Sequence, residues 1–409
     1  MRHAGHRPKK PGVSAMERVA PEATKRVYLD YAASAPVRVE AMEAERAYEA
    51  STYAGANPNS LHTAGREAAR ALDGARRDLA RLLGGRFRPA DIVFTSGGTE
   101  NNNLAILGLA EGARGRDRGR TKVVLSAIEH DSGLDMAPTL RDRGFEVVLV
   151  APSREGAVEP EALERMLGRD VALVSVMAAN TETGVLQPIG ELARASHACG
   201  ALFYTDAAQG FGKVPLDVSG CDAVGIVGHK IGAPVGTGAL AVRGRVPLRP
   251  QTFGGGQERG IRPGTQDVRG ALALAAAARA CCEGLERTRE EVAALARALY
   301  ARVCFEGSGI VPTTTCDVGE DRLPGMVSVM VPGVDSESLV LQLDAAGFEV
   351  SAASACASGS LDASHVLMAM GIPRDQALGS LRVSFDERVD GRDLERFADA
   401  LVSVVRRLR

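Results

Sequence analysis

Seven short apolar runs recur along the chain, at Ile92–Thr95, Val123–Ser126, Val147–Val150, Ala172–Met177, Leu202–Thr205, Ala223–Val227 and Gly238–Val242. They are rich in Val, Ile and Leu and mostly free of polar residues, the pattern of strands covered on both faces. Stretches of helical spacing separate several of them: Ser60–Leu83, Asn101–Ala110, Pro160–Leu167 and Ile189–Cys199. The alternation predicts an α/β domain around a largely parallel, seven-stranded sheet. In such sheets ligands gather beyond the carboxyl ends of the strands. An Ala-rich helix is expected next over Val268–Phe305, broken near Gly284. Strand-like Val327–Val331, a helix at Ser336–Ala346, strand-like Phe348–Ser351, a helix near His365–Met370, a strand at Ser380–Phe385 and a terminal helix then predict a smaller α+β domain. Residues 1–26 carry seven Arg and Lys against Glu17 and Glu22, and Pro8, Pro11 and Pro21 interrupt any helix, so a disordered basic tail is expected there. The division that results is the tail over 1–26, an N-terminal segment of the small domain over 27–40, a large domain over 41–285 and a small domain over 286–409.

Composition narrows the function classes. With 409 residues, 45% of them hydrophobic, the chain can bury a large core, and a net charge of −2 argues against a globally basic nucleic-acid binder. No apolar run approaches the roughly 20 residues of a membrane span, and no apolar segment follows the basic N-terminus as a secretory signal requires. A soluble, cytoplasmic protein is the expectation. The seven cysteines are odd in number and form no CxxC pair, so neither a disulfide framework nor a bound metal is expected. Only six lysines occur, at 9, 10, 25, 122, 213 and 230, which leaves few amines for chemistry that guanidinium cannot perform. The run Gly112–Lys122 holds five cations and one anion and reads as a solvated loop.

Four sites carry candidate chemistry. A strand ending at Thr95 runs into Ser96-Gly97-Gly98-Thr99 and a helix. Two glycines allow close backbone approach and the free amides of a helix start favour a phosphate, although a plain helix cap reads the same way. The strands Leu202–Thr205 and Ala223–Val227 deliver Asp206 and Lys230 to that same rim. An ionised carboxylate can hold a pyridine nitrogen protonated, and a partly desolvated lysine can form a Schiff base. Taken singly, such an aspartate is a helix cap and such a lysine a surface amine; together on one rim with a phosphate turn they point to a pyridoxal cofactor. The run 253–265 has five glycines with Arg259, Arg262 and Thr265 as anion contacts, or is a flexible surface loop. Finally, Cys356 sits in SAASACASGS (351–360) with no bulky neighbour, unlike the inert cysteines of apolar runs, and reads as a thiol on a mobile loop.

With these sites in order, the chain resembles the cysteine desulfurases, within the class V aminotransferase group of fold-type I pyridoxal-5′-phosphate (PLP) enzymes. The matching stretches include YLDYAASAP, ANPNSLHTAG, IVFTSGGTENNNLAI, EHDS, ETGVLQPI, YTDAAQGFGKVPLD, GHKIGAPVGTGAL, FGGGQERGIRPGT, SASACASGSL and SLRVSF, and cover about residues 27–405. The cysteine loop is similar to the longer kind of the iron–sulfur and nitrogenase-associated enzymes. The resemblance implies that Lys230 holds PLP, Asp206 pairs with its ring nitrogen, Gln209 reaches its phenolic oxygen and His130 stacks on the ring. It implies that Gly98, Thr99 and His229 bind the phosphate, and that Thr265 enters the site across a homodimer interface. Arg382 is implied to grip the substrate carboxylate bidentately, with Asn57 lining the substrate side. It further implies that Lys230 removes the substrate Cα proton, that His130 serves as acid or base, and that Cys356 takes the sulfur of L-cysteine as a persulfide for an acceptor protein. Iron–sulfur clusters, thiolated tRNA and DNA phosphorothioates are the destinations such enzymes serve. A related lyase or aminotransferase, such as one acting on selenocysteine, needs Lys230 too but not always Cys356. Two positions depart from the family's pattern. Val227 stands where a phosphate-donating Ser is common, and Thr181, after Asn180, stands where a second Asn is common, at a contact to the cofactor oxygen or the substrate.

Overall fold

The computed structural model describes residues 26–353 and 363–409. Of the basic tail expected over 1–26, residues 1–25 lie outside the described residues, and so does the cysteine at 356. Arg26 is described and pairs with Asp344 and Glu349.

The alternating pattern folds into one seven-stranded sheet. Across it the strands run Ile92–Thr95, Gly238–Val242, Ala223–Val227, Leu202–Asp206, Val171–Ser175, Lys122–Ser126 and Glu146–Val150. Gly238–Val242 is antiparallel to both its neighbours, and every other pairing in the sheet is parallel. The mostly parallel sheet expected from the sequence is therefore present. Its strands are apolar throughout because both faces are covered. Leu173, Tyr204 and Leu240 belong to the core shared with the helix Gly98–Arg116. The alternate residues Val174, Phe203 and Ala239 belong to the opposite core, with Leu72 and Leu79 of the helix Thr63–Leu83, Leu192 of Ile189–Ala198 and Leu274 of Val268–Cys282.

The long Ala-rich helix breaks where expected. Val268–Cys282 ends, Gly284 takes φ 71°, and Leu285–Val303 begins. A positive φ of this kind is close to cost-free only for glycine. Beyond it a second core gathers Val292, Leu299, Val327, Val329, Leu339, Phe348, Leu381, Val383 and the apolar stripe Leu394, Phe397, Leu401, Val405 of the terminal helix Gly391–Leu408. Its antiparallel sheet orders Ser351–Ala352, Ser380–Ser384, Met326–Met330 and Val311–Pro312. Val27–Tyr28 pairs with Phe348–Glu349, and Val27 and Leu29 join this core, so the first described residues bind to the far end of the chain.

Two elements differ from expectation. The helix Val39–Glu49 carried no apolar signal, because only Ala41 and Tyr48 of it are buried. The helix expected over Asn101–Ala110 spans Gly98–Arg116 and absorbs the start of the cationic run. A Cβ at Gly112 would lie 1.5 Å from the Pro247 carbonyl oxygen, so that turn is packed rather than solvated. Residues 115–119 are exposed, as a solvated loop requires, while two later cations are structural ties: Arg120 donates to Val171 and Cys199 carbonyls at 2.8 and 2.9 Å, and Lys122 pairs with Asp170 at 2.8 Å.

Candidate active site

The carboxyl ends of the parallel strands place Thr95, Ser126, Asp206 and Val227 on one rim. At Thr95 the chain turns through Gly97, with φ 143°, into a 19-residue helix that starts at Gly98. The first-turn amides have no intrahelical acceptor and carry the positive end of the helix dipole. Thr99 stands in that turn. The turn is tightly seated: a Cβ at Gly238 would lie 2.8 Å from the Gly97 Cα. Glu100 braces it, accepting from the Ser96 amide at 2.6 Å and from Arg262 Nε at 2.8 Å. Burial opposes the charge of Glu100, but these donors outweigh it and hold its pKa below the usual carboxylate value. Arg262 is thus engaged by a carboxylate. Buried Glu258 ties the same loop down, pairing with Arg76 and accepting from the Phe94 amide at 3.0 Å. Thr265 is exposed at the end of this loop. Asn57 accepts from the Asn59 amide at 2.9 Å, and Asn59 donates to Gln266 beside Thr265 at 2.9 Å.

Val227 closes one side of the turn, with its Cγ2 3.1 Å from where a Gly98 Cβ would stand. Val227→Ser is therefore expected to put a hydroxyl beside the helix start and tighten PLP binding, by about 1–3 kcal/mol at most. Titration of the cofactor into the two apoproteins checks this; equal or weaker affinity in the variant would show that the backbone donors already saturate the phosphate.

At the next strand end, Asp206 is 7% exposed. Its carboxylate accepts from Asn102 Nδ2 at 2.9 Å and from the Ala208 amide at 2.9 Å. Asn102 is locked by Tyr204, whose hydroxyl donates to its Oδ1 at 2.6 Å, and gives its second amide hydrogen to Ser132 Oγ at 2.8 Å. The Ser132 amide donates to His130 Nδ1 at 3.1 Å. One chain of hydrogen bonds therefore joins Asp206 to His130. Glu129 beneath it is fully buried and accepts from the Met177 amide at 2.6 Å; burial pushes its pKa well up.

The third strand end carries Lys230, whose Nζ donates to the Ala32 and Ala33 carbonyls at 2.6 and 2.9 Å. Gln209 Nε2 donates to the same Ala32 oxygen at 2.9 Å and to Thr181 Oγ1 at 3.2 Å. The N-terminal stretch is thus folded directly over the amine. His229 lies 3.3 Å from Ser34 Oγ through Nδ1; burial, then the charges of Lys230 and Lys213, lower its pKa to about 4, so it is neutral near pH 7. Buried Arg382 donates to the Thr181 carbonyl at 3.0 Å and to Asp30 Oδ1 at 2.8 Å, while its Nε has no partner. The guanidinium is divided between two protein oxygens rather than presented whole. Asn180 turns its Oδ1 to the Glu182 and Thr183 amides at 2.9 and 3.0 Å, and its Nδ2 donates to the Ile128 carbonyl at 3.2 Å, so its side chain shapes the backbone.

Four participants escaped the sequence: Asn102, Asp30, Glu258 and Lys213. The first three are ordinary polar residues whose partners are far along the chain. Lys213 had a faint signal as one of six lysines, seven positions after Asp206. A buried carboxylate, an amine and an open helix start on one rim are a donor set that fits PLP: Asp206 for the ring nitrogen, Lys230 for the aldehyde, the Gly98 turn for the phosphate.

The chain is similar to proteins of one known family. A family model for class V aminotransferases matches residues 27–397. The chain is 38% identical over 390 residues to an IscS-like cysteine desulfurase of Mycobacterium tuberculosis, covering 93% of this chain and 97% of that one. A solved NifS-like protein superposes with a TM-score of 0.84 at 31% identity, covering 94% of this chain and 100% of that one. The structure of SspA in complex with cysteine superposes with a TM-score of 0.74 at 29% identity, over 88% and 98%.

Proposed function

Since the chain belongs to the cysteine desulfurases of the class V aminotransferase family, with PLP as cofactor, we propose that it moves the sulfur of L-cysteine onto Cys356 and releases alanine. The observation that carries this reading is the convergence of Lys230, Asp206 and the Gly98 helix start on one rim of the sheet. PLP, when bound, supplies an electron sink for the pair left behind as the substrate Cα proton departs.

The protein's own groups do the rest. Lys230 holds the cofactor, and once substrate displaces it, its freed amine takes the Cα proton. Asp206, kept in place by Asn102 and the Ala208 amide, holds the ring nitrogen protonated. His229, Thr99 and the first amides of the helix hold the phosphate. Arg382 binds the substrate carboxylate by exchanging one of its present acceptors, the Thr181 carbonyl or Asp30, for it. His130 exchanges protons with the substrate sulfur. The Cys356 thiolate attacks that sulfur; the carbon–sulfur bond breaks, a persulfide forms, and the carbon skeleton takes up protons and leaves as alanine.

No helix among the described residues is long and apolar enough to cross a membrane, and no cluster of three His, Cys, Asp or Glu among them is arranged to hold a metal. A cytoplasmic homodimer with Thr265 crossing the interface, a large domain over 41–285, a small one over 286–409 and a sulfur-acceptor protein complete the proposal. The acceptor passes the sulfur to iron–sulfur clusters, thiolated tRNA or DNA phosphorothioates.

Asp206→Asn tests the electron-sink arrangement. A neutral amide keeps the contact with Asn102 only in part and cannot hold the ring nitrogen protonated, so the variant should retain cofactor but lose about 10²–10⁴-fold in kcat. Alanine formation by purified protein is the measurement. Near-normal kcat with full cofactor occupancy would remove Asp206 from its role.

A further inference from the structure

One partly buried amine of the site has no part in the cycle above. Lys213 lies in the turn after the Leu202–Asp206 strand, and its Nζ donates to Gln209 Oε1 at 2.8 Å. It lines the same interdomain cavity as Lys230. An amide can present either edge to a site, because its oxygen and nitrogen ends have nearly the same shape. Here a donor at one end selects Oε1, and the Ala32 carbonyl at the other end selects Nε2. The N–H edge of Gln209 is therefore turned to the carbonyl on which Lys230 Nζ also converges, at 2.6 Å.

We propose that Lys213 is a positioning residue for the group carried by Lys230: its amine locks the Gln209 amide with the N–H edge toward Lys230 and stands behind it as a second positive donor. This rests on the reading that Lys230 carries PLP. The phenolic oxygen of that cofactor is ortho to the carbon that a lysine amine engages, so donors beside the Lys230 amine are the ones able to serve it. Gln209 gives its hydrogens to Ala32 and Thr181 at 2.9 and 3.2 Å; the longer of these is the one to be redirected, and Lys213 keeps the amide from turning over when it is. The charged and titratable neighbours of Lys213 are Lys230, His229, Arg382, Asp386 and Cys281, with Tyr31 and the Arg38–Glu387 pair, at 2.7 Å, in the same cavity. Burial, then Lys230, lowers the Lys213 pKa to about 7, so near neutral pH it donates in either charge state.

The visible absorbance of cofactor-loaded protein, titrated with pH, tests this in the wild type, Lys213→Met, Lys213→Gln and Lys213→Arg. Losing a donor and a charge raises the proton affinity of the phenolic oxygen and the nitrogen linked to it. The midpoint should therefore move up by about one pH unit in Lys213→Met. It should stay within a few tenths of a unit in Lys213→Arg, which keeps donor and charge, and fall between the two in Lys213→Gln, which keeps only a donor. A residue that served folding alone would lower the melting temperature and leave the midpoint in place. An unmoved or lowered midpoint in Lys213→Met, or equal shifts in the Met and Arg variants, overturns the proposal. Wild-type protein that takes up no cofactor contradicts the underlying reading instead, and is distinguished by the absence of the band itself.

Discussion

Lys230→Ala is expected to abolish conversion of L-cysteine to alanine, with a fall of about 10⁴-fold or more, and to remove the visible absorbance of the loaded protein. Both effects trace to one amine. Lys230 is delivered by a buried strand to the rim that holds Asp206, and Ala32 and Ala33 fix its Nζ at 2.6 and 2.9 Å. Lys213 is a second amine nearby, but its Nζ is committed to Gln209 at 2.8 Å. The remaining four lysines are at 9, 10, 25 and 122, and Lys122 pairs with Asp170 at the opposite, amino-terminal end of its strand. Turnover by Lys230→Ala at a substantial fraction of the wild-type rate would mean that another group takes the Cα proton.

Cys356→Ala is expected to separate the two halves of the reaction. The cofactor groups are untouched, so the variant should load with PLP and still bind L-cysteine with a spectral change. Release of sulfide and alanine should fall roughly 10³-fold or more, since no nucleophile remains to take the sulfur. Other cysteines make poor substitutes. Burial raises the Cys221 thiol to about 12 and the Cys304 thiol to about 11, which leaves almost no thiolate near neutral pH. Cys281, hydrogen-bonded to Cys282 and buried, is pushed well up as well. Cys199, Cys282 and Cys316 are the rivals to watch: hydrogen bonding from Cys281 holds the Cys282 thiol down, and Cys199 and Cys316 are only partly buried. Unimpaired alanine production by Cys356→Ala would assign the sulfur to one of them.

The parts of this fold that depend on neighbours along the chain are legible in the sequence itself. Strands covered on both faces announce themselves as apolar runs, so Asp206 and Lys230 can be placed on one rim from the runs that end at them. A glycine needed for its positive φ, Gly284, marks the helix break. The helix Val39–Glu49 is illegible because it buries little, and its packing partner Val268–Cys282 lies far along the chain. The same holds inside the site. That Asn102 holds Asp206, that Asp30 takes one edge of Arg382, and that Lys213 selects the face of Gln209 are facts of tertiary contact. No local pattern distinguishes those residues from polar residues on any surface. The two departures from the family pattern acquire local meaning only in the fold: Val227 packs where the Gly98 backbone leaves room, and Thr181 joins Gln209 to Arg382 through its hydroxyl and its carbonyl.

Peptide mapping by mass spectrometry, after a brief reaction of loaded protein with L-cysteine, locates the sulfur directly. One extra sulfur atom on the peptide containing Cys356, removable by reductant and accompanied by one equivalent of alanine, is the result expected of a desulfurase in which Lys230 and Asp206 drive the chemistry and Cys356 receives the product. Sulfur on the peptide of Cys316 or Cys282, or alanine formed with no protein-bound sulfur at all, would contradict it.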